Sequence, residues 1–466
     1  MIRVVERKEY LEHLIQWKDE QVIKVVTGIR RCGKSTLLLQ YQEWLKASGV
    51  SDEQIVTINF EELEYEELQD YKKLYAYLKD RLCKGKMTYI FLDEIQKVSA
   101  FEKVVDSLYV KPQVDLYVTG SNACMLSGDL ATLLTGRYVE IKMLPLSFYE
   151  FLEITGSGQE QGLSEYMRDG GLPYVAVMDR TPEKVETYLE GIYNTVIVKD
   201  IEDRQVRKES DSDKRKINDI LLLKTIAKYL ASIVGNPVSI RSITDYFISN
   251  GRKISPNTVS DYVEALTESF IFYPAERFDI VGKQLLKANR KMYIVDLGLR
   301  NHILPRRQYD LGFSLENIVY FELLRRGYRV MIGKVGSTEV DFVAEKQGTY
   351  TYFQVTADMT AQETFEREMK PLRRIRDNYE KIVLTGGGTA GHVSPNLALI
   401  PRLLQEGYEI DYIGTEKGIE REMIARVPQV HYHAVKSGKR RRYFSWQNFT
   451  DPFRVVAGAV QSARLM

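Results

Sequence analysis

Cysteine, long apolar runs and signs of secretion are scarce or absent in this chain of 466 residues. The three cysteines, Cys32, Cys83 and Cys124, have no spacing that is typical of a zinc site or a disulfide framework. No apolar run approaches the roughly 18 residues that span a bilayer, and the N-terminus "MIRVVERKEY" lacks the apolar segment of a signal peptide. The sequence therefore predicts a cytoplasmic protein that is neither secreted nor membrane-spanning.

Net charge is also low, but it is unevenly distributed. The whole chain carries a formal charge of +1, whereas residues 381–466 hold 12 Lys and Arg against 7 Asp and Glu. A hydrophobic content of 44% and a charged content of 28% are ordinary for globular domains. The length predicts roughly two to four domains, and the last part of the chain differs in composition from the rest.

The stretch "VIKVVTGIRRCGKSTLLLQYQEWL" has the pattern of a buried strand (residues 22–27), a glycine-rich turn and an amphipathic helix. The turn fits GxxxxGK[ST], a phosphate-binding pattern in which glycines let backbone N–H groups face phosphate oxygens. Lys34 would reach the terminal phosphates and the Ser35 hydroxyl would bind Mg²⁺. The residues predicted to bind ATP are Gly28, Gly33, Lys34, Ser35 and Thr36.

The apolar strand "MTYIFLDEIQK" ends in two acids and supplies the second half of such a site. Asp93 is expected to join the Mg²⁺ shell, and Glu94 to orient and deprotonate the attacking water. Without the glycine-rich loop upstream, these two acids would indicate only a solvated strand end. In a third strand, "VDLYVTGSNA", Ser121 and Asn122 are expected beside the γ-phosphate.

Arg137, in "LLTGRYVEIKMLPLSFYEF", has two interpretations. Its guanidinium could reach the nucleotide of a neighbouring subunit and stabilise charge in the transition state. It could equally cap a turn before an edge strand. The catalytic residues that the sequence predicts are Asp93, Glu94, Asn122 and Arg137.

Six stretches, taken in order, resemble a large prokaryotic family of AAA+ type ATPases over roughly residues 1–385. The resemblance implies ATP binding and hydrolysis, with Mg²⁺ as the metal. It rests on "GIRRCGKST", "YIFLDEIQ", "VTGSNA", "LTGRYVEIKMLPLSFYEF", "GGLPYV" and "YNTVIVKDIEDR".

Three helical segments in the middle of the chain have lengths typical of a winged helix-turn-helix. They are "INDILLLKTIAKYLASIVG", "SIRSITDYFISNG" and "SPNTVSDYVEALTESFIF", with Pro256 at a helix start. The last segment carries Asp261, Glu264 and Glu268, which would repel DNA phosphates. A docking surface for an unknown protein partner is therefore favoured over DNA readout, which stays open.

From Ser314 the pattern is a helix followed by three short strands, and it resembles the restriction-endonuclease core. Glu316 and Asp341 match two of its acids, but the acid-x-Lys pair reads Gln354-Val355-Thr356. Because the lysine that would activate water is absent, a scaffold used for binding is favoured over a nuclease.

The stretch "KIVLTGGGTAGHVSPNLALIPRLLQEGYEIDYIG" is predicted to form a strand, a glycine-rich loop, a helix and a second strand. With the segments that follow, it resembles the N-terminal end of the MurG family, transferases that add N-acetylglucosamine to lipid I. The resemblance implies that Gly387, Gly388, Gly391 and His392 lie at the acceptor. It also implies that the basic and aromatic residues near Arg442 face an anionic membrane surface.

The chain stops before the donor-binding domain of that family, so sugar transfer is not expected. The pentapeptide "KIVLT" suits either a late strand of the nuclease-like domain or the first strand of the transferase. A chimera joined at shared sequence, natural or artefactual, explains this better than one bifunctional enzyme.

The predicted fold class is a multidomain α/β protein with a P-loop AAA+ domain, a helical and winged-helix-like module, a restriction-endonuclease-like domain and a partial Rossmann-like unit. Its function is expected to be ATP hydrolysis that drives a change in an unknown partner. The alternatives are an ATP-dependent DNA-binding or nuclease protein, transferase activity of the tail, and a nucleotide-gated adaptor; a homo-oligomer is possible. The expected divisions are an ATPase core (1–150), a helical lid (151–215), a winged-helix-like module (216–300), a degenerate nuclease-like domain (301–380) and a truncated MurG-like fragment (381–466).

Overall fold

The computed structural model describes seven ranges of the chain, which form two compact units. The ranges are 4–121, 136–196, 219–304, 311–357, 362–385, 410–415 and 429–435. Unit 1 takes the described residues within Met1–Arg277, Leu286–Tyr309 and Tyr320–Gly327. Unit 2 takes those within Phe278–Leu285, Asp310–Val319 and Tyr328–Met466.

A five-stranded parallel sheet lies at the centre of the first part of unit 1. Its strands have the order β2-β3-β4-β1-β5. Every residue of β1 and β3 is buried, as expected for parallel strands covered on both faces. The strands predicted over residues 22–27 and at "MTYIFLD" are confirmed. The bounds are β1 Ile23–Thr27, β2 Ile55–Asn59, β3 Thr88–Asp93, β4 Val114–Gly120 and β5 Tyr138–Lys142.

Helices and short 3-10 turns surround this sheet and continue beyond it. The helix predicted after the glycine-rich turn is confirmed, as are helices following the sheet. In chain order the helices are α1 Lys8–Gln16, α2 Lys34–Ala47, α3 Tyr71–Lys79, α4 Phe101–Tyr109, α5 Phe148–Thr155, α6 Gln159–Asp169, α7 Pro173–Val177 and α8 Pro182–Asn194. The 3-10 turns are Asp52–Gln54, Leu63–Gln69 and Ile95–Lys97.

The sheet order brings three loops to one edge. Because β1, β3 and β4 are parallel neighbours in the order β3-β4-β1, their carboxyl ends meet there. The loops that follow them begin at Gly28, Glu94 and Ser121. This edge is therefore where the predicted ATPase residues come together.

The three helices predicted in the middle of the chain are confirmed, and strands accompany them. Pro256 occupies the first turn of the third helix, and the Ser255 hydroxyl caps it by accepting the Thr258 N–H at 3.1 Å. The strand order within unit 1 is β6-β8-β7. The elements are α9 Ile220–Ser232, β6 Pro237–Val238, α10 Ile240–Ser249, α11 Pro256–Glu268, β7 Phe272–Asp279, β8 Gln284–Ile294 and α12 Leu297–Ile303.

Unit 2 holds a second sheet. The helix predicted from Ser314 and the three strands predicted after it are confirmed. Strands β9, β10 and β11 form an antiparallel meander, and β12 adds to β11 in parallel. The tip of the β7–β8 hairpin joins this sheet, because the Ile280 N–H donates to the Lys334 carbonyl at 3.0 Å. The elements are α13 Leu311–Arg325, whose second half belongs to unit 1, β9 Arg329–Val335, β10 Thr338–Lys346, β11 Thr349–Thr356, α14 Gln362–Arg374 and β12 Glu380–Thr385.

Elements of the structure lie across two of the borders that the sequence predicts. The border at 300/301 is crossed, because the hairpin tip Phe278–Leu285 packs with unit 2 while Tyr320–Gly327 packs with unit 1. The border at 380/381 cuts through β12, which contains "KIVLT" and pairs with β11 from Thr351↔Glu380 to Thr356↔Thr385. The pentapeptide thus completes the sheet that precedes it.

The described part of the tail contains a separate two-stranded parallel sheet. Strand β13 (Ile410–Thr415) pairs with β14 (Val430–Val435), and neither pairs with β12. The predicted strand near residues 409–413 is therefore confirmed. Of the helices in the described ranges, none combines the length and apolar character that a membrane span requires.

Candidate active site

The glycine-rich loop lies between β1 and α2, as predicted. Gly28 has a φ of +149°, and a Cβ at this position would clash with the Met143 carbonyl oxygen. Gly33 has a φ of +105° and immediately precedes α2. Both positions therefore require glycine, and the loop turns tightly into the amino end of the helix.

The Lys34 ammonium is folded back over this loop. It donates to the carbonyl oxygens of Gly28 at 3.1 Å and Ile29 at 3.4 Å. Its Nζ also lies 3.7 Å from Glu94 Oε1, and the side chain is 4% exposed. A buried cation held by weak carbonyl contacts is poised to bind a stronger anionic partner.

Asp93, the last residue of β3, lies between two hydroxyl groups. Ser35 and Thr119 both hydrogen-bond its carboxylate. Burial raises the pKa of Asp93, and these two hydrogen bonds oppose the rise. One hydroxyl and one carboxylate are oxygen ligands of the kind that Mg²⁺ prefers, so Ser35 and Asp93 fit a magnesium site.

Glu94 is held in a left-handed conformation, with a φ of +54°. Its N–H donates to the Thr119 hydroxyl at 2.9 Å, and the Ser121 hydroxyl donates to its Oε2 at 3.2 Å. Gln96 donates to the Glu94 carboxylate and to the Ser121 hydroxyl, the latter at 3.3 Å. The structure thus unites Lys34, Asp93, Glu94 and Ser121.

Arg137 lies at the opposite end of the sheet. Its carbonyl accepts the Ile23 N–H at 2.8 Å, at the amino end of β1, and its guanidinium pairs with Asp106 and lies 5.4 Å from the Tyr109 ring centre. It is not brought together with Lys34 in the same chain, so its action on another copy stays a prediction. Predicted residues outside the described ranges are Asn122, Gly387, Gly388, Gly391 and His392.

A cavity of about 700 Å³ opens beside the loop. Its charged lining residues include Arg31, Lys34 and Glu94, and Thr36, which the sequence predicts to bind ATP, also lines it. Apolar and aromatic residues also line it. These lining residues are Val4, Val5, Leu146, Ile154, Pro173, Tyr174, Val177, Tyr188 and Ile192. Such a volume is ordinary for a small-molecule pocket.

Arg7 is a site residue that the sequence did not reveal. It lines the cavity, is 3% exposed and forms an ion pair with Glu150 at 2.8 Å. It also donates to the carbonyl oxygens of Cys32 at 3.1 Å and Leu144 at 2.8 Å. Arg7 therefore ties the glycine-rich loop to the segment after β5, and no local motif signals this.

The residues predicted for a degenerate nuclease site lie in unit 2. Asp341 sits at an irregularity of β10, where its Oδ2 accepts the Val355 N–H at 2.8 Å. The Gln354 amide donates to Glu368 at 2.8 Å. Glu316 is 8% exposed. Across the described ranges, no three His, Cys, Asp or Glu side chains are grouped to hold a metal.

Three segments of the chain match known domain families. Residues 20–152 match the AAA domain, and residues 160–310 match a domain of unknown function, DUF8612. Residues 382–466 match the glycosyltransferase family 28 N-terminal domain. The chain thus carries an AAA-type domain and a C-terminal glycosyltransferase-like region.

Individual relatives match either most of the chain or a short segment of it. The chain is 40% identical over 389 residues to an uncharacterized protein of Haemophilus influenzae, covering 82% of this chain and 94% of that one. It is 61% identical over 87 residues to the UDP-N-acetylglucosamine–N-acetylmuramyl-(pentapeptide) pyrophosphoryl-undecaprenol N-acetylglucosamine transferase of Clostridium kluyveri, covering 19% of this chain and only 24% of the transferase. Among solved structures, the Walker-type ATPase PABY2304 of Pyrococcus abyssi is 15% identical, with a TM-score of 0.45 over 64% of this chain and 96% of that one.

Proposed function

We propose that this chain, which belongs to the same family as the uncharacterized Haemophilus influenzae protein, binds and hydrolyses ATP. The observation that carries the proposal is the meeting of Lys34, Ser35, Asp93 and Glu94 beside one cavity. A phosphate-binding loop, a pair of magnesium ligands and a general base are the groups that hydrolysis of a phosphoanhydride needs.

Each side chain has a distinct part in this chemistry. Lys34 exchanges its contacts with the loop carbonyls for the terminal phosphates. Ser35 and Asp93 would hold Mg²⁺, which would neutralise charge on the phosphates. Glu94 accepts a proton from the attacking water, and Ser121 and Gln96 orient its carboxylate. Arg7 keeps the loop in shape through the Cys32 carbonyl.

Replacing Lys34 by alanine tests nucleotide binding. We expect ATP affinity to fall by about 10–100-fold, the effect of losing a charge-assisted hydrogen bond. Titration calorimetry with ATP and Mg²⁺ measures it. Lys46→Ala is the matched control, because Lys46 lies on the same helix but is exposed and pairs with Asp52 at 3.1 Å. Wild-type affinity in Lys34→Ala would contradict the assignment.

Hydrolysis is proposed to drive a change in an unknown protein partner that docks on α9–α11. A second candidate is ATP-dependent DNA binding, favoured by the element order helix, strand, helix, helix and hairpin from α9 to β8. The acids Asp261 and Glu264 on α11 argue against it. Residues 301–380 are proposed to be a nuclease-like scaffold. DNA cleavage with Mg²⁺ or Mn²⁺ that Asp341→Ala abolishes would favour a nuclease.

The tail is proposed to be inactive as a transferase. The support is that the strand containing "KIVLT" pairs with β11, while β13 pairs with β14 in a separate sheet. In this arrangement β12, which precedes the glycine-rich segment of the tail, is not paired with β13, the next described strand. We therefore expect no transfer of N-acetylglucosamine from its UDP derivative to a lipid I analogue. Detectable transfer by the purified protein would refute this.

Limited proteolysis is expected to cut first within residues 386–466. A two-stranded sheet such as β13–β14 is marginally stable at best, whereas β12 is secured in a larger sheet. Mass spectrometry of the fragments at increasing protease concentration measures the order of cleavage, and ATPase activity should survive the first cut. Cleavage of the ATPase core at the same protease concentration would contradict the prediction.

A further inference from the structure

One buried carboxylate, that of Asp296, caps α12 and also binds the backbone just before α7, which is far away in the sequence. Its Oδ1 accepts the Leu299 N–H at 2.9 Å, at the start of α12. Its Oδ2 accepts the Gly171 N–H at 2.6 Å, just before α7. The N–H groups of Gly298 and Leu172 also hydrogen-bond this carboxylate. Asp296 is 3% exposed, so it serves these backbone donors and not solvent.

The turn before α7 and the start of α12 meet so closely that two glycines there have no room for a Cβ. Gly170 has a φ of +85°, and a Cβ there would overlap the Asp296 carboxylate. A Cβ on Gly298 would overlap the Asp169 carbonyl oxygen. The contact between the Asp169–Gly171 turn and the start of α12 is therefore built for direct backbone approach.

Helix α7 forms part of the cavity wall. Pro173, Tyr174 and Val177 line the cavity, and the neighbouring α8 contributes Tyr188 and Ile192. The Tyr174 and Tyr188 rings lie 5.1 Å apart between centres. Helices α7 and α8 thus supply five of the apolar and aromatic residues that line the cavity.

Helix α12 is braced on several sides within unit 1. The Asn301 amide donates to the Met167 and Arg168 carbonyls at 2.9 Å each, at the end of α6. His302 contacts Glu186 of α8 at 2.9 Å. Arg300 donates to the Ala231 carbonyl of α9 at 3.1 Å. Because these contacts hold α12 in place, Asp296 can in turn hold the backbone before α7 in place.

We propose that Asp296 is a positioning residue for nucleotide binding, which fixes the α7 wall of the cavity against α12. The inference rests on the proposed ATP site. Asp296 touches neither the phosphate-binding loop nor the acids, and acts through the backbone of Gly171 and Leu172. Because coupling between two sites is reciprocal, nucleotide in the cavity stabilises the start of α12 in return.

The test compares Asp296→Asn with a matched variant, Asp70→Asn. Asp70 also caps a helix of unit 1, accepting the Lys72 and Lys73 N–H groups at 3.0 Å, but no residue of that helix, α3, lines the cavity. An asparagine at 296 keeps the shape and directs an amide NH₂ group at backbone donors. We expect the Kd and KM for ATP to rise on the order of tenfold, with kcat within about twofold because Lys34 and Glu94 are untouched.

Amide hydrogen exchange of the full-length wild-type protein supplies a second readout. Saturating ATP with Mg²⁺ should slow exchange in residues 170–177 and 296–303, but not in 71–79. A folded Asp296→Asn variant that binds ATP as the wild type does would overturn the inference. If that variant does not fold, absence of protection at 296–303 in the wild type would overturn it instead. If the wild type itself binds no ATP, the proposed function fails, and this inference falls with it.

Discussion

Replacing Glu94 by glutamine is expected to slow ATP turnover by about 10²–10⁴-fold, the usual contribution of a general base. The amide keeps the shape of the side chain but cannot accept the proton of the attacking water. Because Lys34, Ser35 and Asp93 are unchanged, ATP affinity should stay within about twofold of wild type. Phosphate release under single-turnover conditions measures the rate, and calorimetry measures the affinity.

A control variant separates this effect from a general loss of acidic charge. Glu64→Gln removes an exposed carboxylate from the turn Leu63–Gln69, which does not line the cavity, and should leave turnover unchanged. Glu94 is 8% exposed and held by Ser121 and Gln96, so its effect should be specific. Wild-type turnover in Glu94→Gln would show that another group accepts the proton.

The same site shows which of the proposed functional residues a sequence can reveal. Lys34 and Ser35 can be identified from the spacing of a loop motif. Asp93 and Glu94 can be identified from their place at the end of an apolar strand. Those signals are local, and the structure brings these residues together. Gln96 carries no such signal, since its role depends on a left-handed turn at Glu94.

Contacts between residues that are far apart in the sequence could not be predicted either, because no local pattern signals them. Arg7 binds the Leu144 carbonyl across 137 positions, and Asp296 binds the Gly171 N–H across 125. Neither contact follows from periodicity or from a motif, because it arises only when elements from distant parts of the chain pack. The sequence did show that "KIVLT" suits two sheets. Only the pairing of β12 with β11 decides between them.

Replacing Asp115 by alanine is expected to lower the free energy of unfolding of the AAA-type domain by about 3–5 kcal/mol, the cost of leaving a buried charge without its partner. Lys24 and Asp115 are 0% and 1% exposed and form an ion pair at the amino end of the sheet. Burial lowers the pKa of Lys24 and raises the pKa of Asp115, so each charge depends on the other.

The surrounding contacts explain why the loss should be large. Asp115 also accepts the Tyr117 hydroxyl at 2.8 Å and the Asp19 N–H at 2.9 Å. The Tyr117 hydroxyl bonds that of Tyr41 at 2.8 Å, on the helix that begins at Lys34. Alanine at 115 would therefore leave the Lys24 ammonium without its counter-charge, with only the Glu20 carbonyl at 2.8 Å, and would remove the acceptor of the Tyr117 hydroxyl.

Urea unfolding followed by tryptophan fluorescence measures this effect, in a Trp446→Phe background so that Trp17 and Trp44 report on the core. Asp52→Ala is the matched control, because it breaks the exposed Lys46–Asp52 pair, and its midpoint should equal that of the parent protein. The double variant Lys24→Met with Asp115→Leu should recover most of the loss, since no buried charge remains unpaired. If Asp115→Ala unfolds at the parent midpoint, the pair is not buried as described. If the double variant is no more stable than the single one, the hydroxyl chain rather than the charge is what Asp115 secures.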